Sequence, residues 1–256
     1  MKNIKQSHNH QQSLIAAVTV LGMAISMSSA VASTTYSVDE DVMTSSFFQG
    51  ANSVRGYAGE GRSVFRVSTN NPYGTQGGET IYLDFGNADF SSFSGAVQAE
   101  LTVQSAPGGF GGDASSGNPF TVSAHAVNAD PIASITDDTN PGGSINWLDF
   151  YSNNIETADA AALTSVDSFG AITFDVSAIV NDWISGSNTI QSLALTGVND
   201  ASGNDFLHGF RNNSENPGST YLTVSAVPVP GAVWLMGSGL LGFMGMARHR
   251  KSIDNV

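Results

Sequence analysis

Short runs of alternating apolar and polar residues recur along the middle of the chain. In "SVFRVST", Val64, Arg66 and Ser68 fall on one face and Ser63, Phe65 and Val67 on the other. "ETIYLDFG" sets Ile81, Leu83 and Phe85 in register, and "GAVQAELTVQSA" sets Val97, Ala99, Leu101 and Val103. The same period of two aligns Phe120, Val122, Ala124 and Ala126, then Ile172, Phe174 and Val176. It returns in Leu193, Leu195 and Gly197, and in Tyr221 or Leu222 with Val224. Such runs, separated by Gly, Asn, Pro and Asp, predict strands of an antiparallel all-β domain. Turn signals such as Asn140-Pro141-Gly142-Gly143 and Asn216-Pro217-Gly218 punctuate them.

Helical periodicity is sparse. "DVSAIVNDWISGS" predicts a short helix in which Ser177 caps, Ile179, Val180, Trp183 and Ile184 share a face, and Gly186 stops the helix. "NWLDFYSNNIETADAAALTSV" aligns Trp147, Phe150, Tyr151, Ile155, Ala158 and Ala162 on a helical face, in two pieces broken at Asn153-Asn154. Long Gly-rich loops such as "SAPGGFGGDASSGNP" cannot pack an interior by themselves. The expected architecture is one antiparallel β-sandwich with short helices and long Gly-rich loops, over residues 33–226.

The two ends have a different character. Residues 1–32 carry Lys2 and Lys5, an apolar stretch from Leu14 to Met27 and the small-x-small tripeptide Ala30-Val31-Ala32. That pattern predicts a secretory signal peptide. In residues 227–256, Val229 to Ala247 holds no charge, a length near the lower limit of ~17–25 residues for crossing a bilayer. Arg248, Arg250 and Lys251 follow as a membrane stop. A transmembrane helix is expected there.

Charge narrows the partners. Between Ser33 and Ala226 four basic residues, Arg55, Arg62, Arg66 and Arg211, face 21 acids, a formal charge of −17 with no lysine. Such a surface repels nucleic acid. The absence of cysteine excludes disulfides, thiolate metal sites and cysteine nucleophiles.

The C-terminal run Val227-Pro228-Val229-Pro230-Gly231-Ala232, followed by the apolar stretch and the basic cluster, resembles the sorting signal of PEP-CTERM proteins in its Val-Pro-x-Pro variant. The Glu of the name-giving motif is missing. The resemblance implies that an exosortase, an inner-membrane protease, recognises Val227, Pro228, Val229 and Pro230. It implies a membrane-anchored precursor and export to the surface of a Gram-negative bacterium that makes exopolysaccharide.

A second stretch, Phe174 to Ser187, resembles the "DVT-x-x-V-x-x-W-x-x-G" segment of DNRLRE-type domains. Leu193-Ala194-Leu195, Phe210 to Glu215 and Tyr221 to Val224 follow in that family's order. The likeness spans residues 172–224 and departs before them, where a segment from Pro107 to Ala162 is inserted. It implies a jelly-roll-like β-sandwich of the kind found in secreted and cell-wall proteins.

Candidate chemistry is thin. No nucleophile elbow, zinc-protease helix or phosphate loop is present. His125 sits in a strand run, opposite the Val122 face, and is expected to be half-exposed. "NDASGNDFLHGFRNNSENPGS" is the densest polar stretch. Asp200, Asp205, His208 and Glu215 in it are candidate ligands for an ion such as Ca2+, because hard cations take oxygen donors. The bland alternative is a hydrated loop in which Arg211 pairs with Glu215 or Asp205. Asp137, Asp138 and Asn140 form a similar cluster, and Asp39, Glu40 and Asp41 need mean only solvation. Trp147, Tyr151, Phe110 and Phe120 either stack on sugars or plug the sandwich ends. The expected function is a non-enzymatic cell-surface or matrix protein associated with exopolysaccharide, structural or carbohydrate-binding. A polysaccharide hydrolase or lyase is the alternative, and it requires a buried acid beside an aromatic cleft.

Overall fold

The computed structural model describes residues 33–45, 54–55, 64–68, 79–108, 113–135, 153–155, 162–197 and 207–227. The early strands are β1 (Ser33–Ser37), β2 (Glu40–Ser45), β3 (Val54–Arg55), β4 (Val64–Ser68) and β5 (Glu79–Asp84). They are followed by β6 (Val97–Ala106), β7 (Phe120–Ala126), helix α1 (Pro131–Ile135), β8 (Ala162–Val166) and β9 (Gly170–Asp175). Helix α2 (Ser177–Ser185), β10 (Ser192–Gly197), β11 (Leu207–Arg211) and β12 (Thr220–Ala226) complete the order. These elements belong to one compact unit, Ala32–Val227.

Every strand pairing is antiparallel, and the expected period-two runs all form strands. One layer runs β1–β12–β6–β9 and the other β3–β2–β5–β10–β7–β8. The pair β11 and β4 joins them, β11 bonding the end of β6 at Ser105 and Ala106, and β4 meeting β5 at Ser68 and Glu79. The core lies between the layers. Leu101, Val103, Phe174, Leu222 and Val224 from the first meet Ile81, Leu83, Val122, Leu193 and Leu195 from the second. Each large apolar side chain buried there contributes about 1.5–3 kcal/mol.

Helix α2 follows its sequence signal closely. Nine residues are too few for a helix to persist alone in water. Burial of Ile179, Val180 and Trp183 holds it, with the indole centroid 6.2 Å from Phe85 and 6.0 Å from Phe90. Gly186 ends it at φ 77°, and its N–H donates to Trp183 O. One expectation fails: the Ser177 hydroxyl makes no capping bond. It accepts the Ala99 N–H at 2.9 Å, while Asn181 pairs with Val97 through both its amide groups. Beyond the reach of β9, these two side chains take over as hydrogen-bond partners for the start of β6.

Three further expectations change. The helical face proposed over Trp147 to Ala162 does not extend into Ala162–Val166, which is strand β8 paired with β7. The open edge of β7 and the β-branched Thr164 and Val166 outweigh a weak helical period. Ile155 is buried and bridges Val127, and Trp147, Phe150, Tyr151 and Ala158 lie outside the described residues. The polar stretch around His208, expected as loop, contains strand β11.

The terminal helices are the third correction. Among the described residues no helix is long and apolar enough to cross a membrane. The longest, α2, spans nine residues, or roughly 14 Å at 1.5 Å per residue against an apolar thickness of roughly 30 Å. The fold class is therefore corrected to an antiparallel, mostly β-sheet fold with short helices. The expected transmembrane helix, and the inner-membrane-anchored precursor that rested on it, are set aside. Residues 1–32 and 228–256, with Pro228, Val229, Pro230, Arg248, Arg250 and Lys251, lie outside the described residues. Val227 follows β12, its N–H donating to Ala96 O.

Among the described glycines, Gly209 marks the tightest backbone approach, where β11 crosses from β4 to β6. A Cβ there would sit 2.5 Å from Ala106 O, 2.8 Å from Val64 Cγ1 and 2.9 Å from Gly108 N. Two of those atoms are backbone and cannot step aside. Gly209→Ala is expected to cost about 3 kcal/mol by overpacking, read by urea unfolding. Gly117→Ala, with nothing within 4 Å, should be close to neutral in the same experiment.

Candidate functional site

The first feature with the residue types of catalysis is built around β11. His208 is fully buried. Its ring stacks on Phe169 at 5.6 Å and meets the edge of Phe210 at 5.4 Å. Its Nε2 lies 2.5 Å from Ser105 Oγ, and Asp113 Oδ1 lies 3.8 Å from its Nδ1. Ser, His and Asp side chains are thus neighbours.

The wiring runs the wrong way for nucleophilic catalysis. A triad needs the Nδ1–H to point at the carboxylate and a free Nε2 lone pair at the serine. Here the Ala114 N–H donates to Nδ1 at 3.2 Å, so the proton sits on Nε2 and is donated to Ser105 Oγ. The Ser105 hydroxyl donates its own hydrogen bond to Ser168 O at 3.3 Å. Asp113 Oδ1 accepts the Gly108 N–H at 2.8 Å. Burial pushes the His208 pKa below its ordinary value, with the Asp113 carboxylate opposing, so the ring is neutral. Ser105 is itself buried. The group is a clasp: a neutral imidazole that ties the loop at Ala114 and the β8–β9 turn at Ser168 to the sheet.

The other residues singled out from the polar stretch do not converge on it. Glu215 is exposed on the turn after β11, and Asp200 and Asp205 lie outside the described residues. Arg211 donates to Asn216 Oδ1 at 3.1 Å, and not to Glu215. Among the described residues no group of three or more His, Asp or Glu side chains is placed to hold a metal ion. Asp137, Asp138, Asn140, Phe110, Trp147 and Tyr151 also lie outside the described residues.

The turn from Asn212 to Ser219 uses its polar groups internally. Asn213 donates through Nδ2 to Val38 O and accepts the Gly218 N–H through Oδ1. Its backbone N–H donates to Asp41 Oδ2 at 2.6 Å. Asp41, expected to be solvated, is only 3% exposed. Burial raises its pKa to about 6, against the opposing pull of the Asn213 and Ser214 N–H groups. His125, expected to be half-exposed, is 7% exposed and bonds Thr196 Oγ1 through Nε2 at 3.0 Å.

An open cleft of about 380 Å³ lies over the first layer, lined by Gln98, Ala99, Glu100, Asp175, Ser177, Thr223 and Ser225. Glu100 is the register partner of both Asp175 and Thr223. The Ser177 hydroxyl and N–H both donate to Asp175, which holds its carboxyl below the usual range. That is the opposite of the raised pKa a general acid requires. Among the described residues no aromatic side chain lines the cleft, and Phe120, a candidate for sugar stacking, is buried in the core. No family model and no curated protein matches this chain.

Ser105 and Asp41 escaped the reading of the sequence, and the first had a signal. The core-facing series Val97, Ala99, Leu101, Val103 continues to Ser105, a polar residue at an inward position that needs a buried partner. The partners themselves, Ser168 and His208, are 63 and 103 residues away along the chain.

Two of the buried ionisable groups set opposed pH dependences. Asp41 holds its proton more tightly folded than unfolded, because its pKa of about 6 exceeds the ordinary 3.8. Its contribution to stability therefore falls as pH rises from about 4 through about 6, by up to about 3 kcal/mol. His208 behaves oppositely: its folded pKa lies below 6.5, so its contribution is full above that pH and is lost as pH falls. Urea unfolding from pH 4 to pH 8 should show the first slope vanish in Asp41→Asn and the second in His208→Gln.

Proposed function

We propose that this protein is a non-enzymatic structural component of a polysaccharide-rich extracellular matrix. The observation that carries the non-enzymatic part is the tautomer of His208, fixed by the Ala114 N–H, which leaves no base facing Ser105. The cleft supports it: its two carboxylates are open to water and, among the described residues, no aromatic platform accompanies them.

The composition supports the matrix part. A lysine-free span carrying −17 resists collapse onto other anionic polymers and stays hydrated. The outer face of the first layer offers Ser33, Thr35, Gln98, Thr223 and Ser225, hydroxyl and amide groups suited to hydrogen bonding with a hydrated neutral glycan. An anionic glycan would be repelled unless divalent cations bridge the two.

Native gel electrophoresis through dextran, and separately through alginate, tests the association. Retardation in dextran, and in alginate only with added Ca2+, is expected. Unchanged mobility under every condition would overturn the glycan association. In parallel, no new reducing ends and no unsaturated uronate should appear in either polymer. Chain scission abolished by Glu100→Gln or Asp175→Asn would replace this reading with a hydrolase or lyase.

A further inference from the structure

We propose that β1 is the seam of a two-fold homodimer in which the β1 strands of two copies pair antiparallel, edge to edge. Among the described residues β1 bonds on one side alone, to β12, through the unbroken register Ser33↔Ser225 to Ser37↔Tyr221. The alternate backbone N–H and C=O groups on its other side pair with no strand among the described residues, and four of its five residues are exposed. The opposite end of the sheet differs. There β8 lies against β9, with Thr164 Oγ1 donating to Thr173 O.

Edges of this kind are ordinarily protected by a lysine, a proline, a bulge or an inward charge. β1 has none of these in "STTYS", and its neighbour β12, "TYLTVSA", carries no charge either. The charge pattern selects the occupant. A second copy of a chain with −17 over residues 33–226 is repelled at most approaches, and this strip two strands wide carries no charge of its own, so the repulsion is weakest there.

The sequence of the strand is also self-complementary. A two-fold axis at Thr35 sets Ser33 opposite Ser37, and Thr34 opposite Tyr36. Threonine against tyrosine is a favourable cross-strand pair, and no like charges meet. Tyr36 is fixed for this role: its hydroxyl donates to Asp89 O at 2.7 Å and its ring packs on Phe90 at 4.8 Å. A five-residue seam buries far less than the roughly 1,600 Å² of a standard interface, so the association is weak and driven by concentration.

Sedimentation velocity of the full chain, over a concentration series at 50 and 500 mM NaCl, is the test. Wild type should pass from monomer to dimer, with at least threefold tighter association at the higher salt as the acidic surfaces are screened. Thr35→Lys places two lysines opposite one another on the axis and should weaken association at least tenfold with an unchanged melting temperature. Thr35→Glu should do the same. An equimolar mixture of the two variants should dimerise again, which a merely misfolded variant cannot do. Wild type that stays monomeric at millimolar concentration in both salts overturns the proposal. So do a Thr35→Lys protein that dimerises like wild type and a mixture that fails to recover.

Discussion

The backbone of β6 must be satisfied along ten residues and on both edges, and the rest of the fold is arranged around that demand. On one edge β12 bonds Val97 to Val103 and β11 takes over at Ser105 and Ala106. On the other, β9 bonds Glu100 to Ser105. Where β9 ends, the chain turns into α2, and Ser177 and Asn181 supply side-chain groups in place of a strand. The helix is thereby held against β6 by hydrogen bonds as well as by the burial of Ile179, Val180 and Trp183. Because β11 also pairs with β4, this one strand links the two layers.

Polar groups within the fold serve mainly to dock loops onto this frame. His208 holds Ala114 and Ser105, Asp41 holds the turn at Asn213, and Arg66 meets Glu79 at 2.6 Å between β4 and β5. A buried ion pair of this kind gives little net stability, since desolvation offsets most of the attraction, but removing one partner is severe. The same physics explains His208. A buried imidazole that accepts from a backbone amide is a good neutral fastener, and that commitment of Nδ1 disqualifies it as a base.

The strands were legible because their faces differ. Ile81, Leu83 and Phe85, or Val97 through Val103, announce an inward face by period alone, and α2 announced itself by Ile179, Val180, Trp183 and Gly186. Local polarity misled wherever tertiary partners decide. Leu207–Arg211 reads as part of a hydrated loop because Asp, Asn and Glu surround it, yet His208 and Phe210 are buried. Asp41 reads as solvated beside Asp39 and Glu40, yet the turn around Asn213 covers it. Ala162–Val166 reads as the tail of a helix until the edge of β7 is known. The serine–histidine cluster could be found only in part: period two exposes Ser105 as an inward polar residue, but nothing local names Ser168 or His208 as its partner.

Ser33 at the start of β1 lies beside Ser225 near the end of β12, and Val227 is tied to Ala96. The chain therefore enters and leaves this unit at one corner, on two adjacent antiparallel strands. Tension applied through the two flanking segments would act across the β1–β12 hydrogen bonds and open them one after another, as a zipper opens. A pair pulled along its length shares the load among all its bonds at once, and this pair cannot. In mechanical terms, the unit yields first by peeling at that corner, and the core between the layers feels force only after β1 has come away.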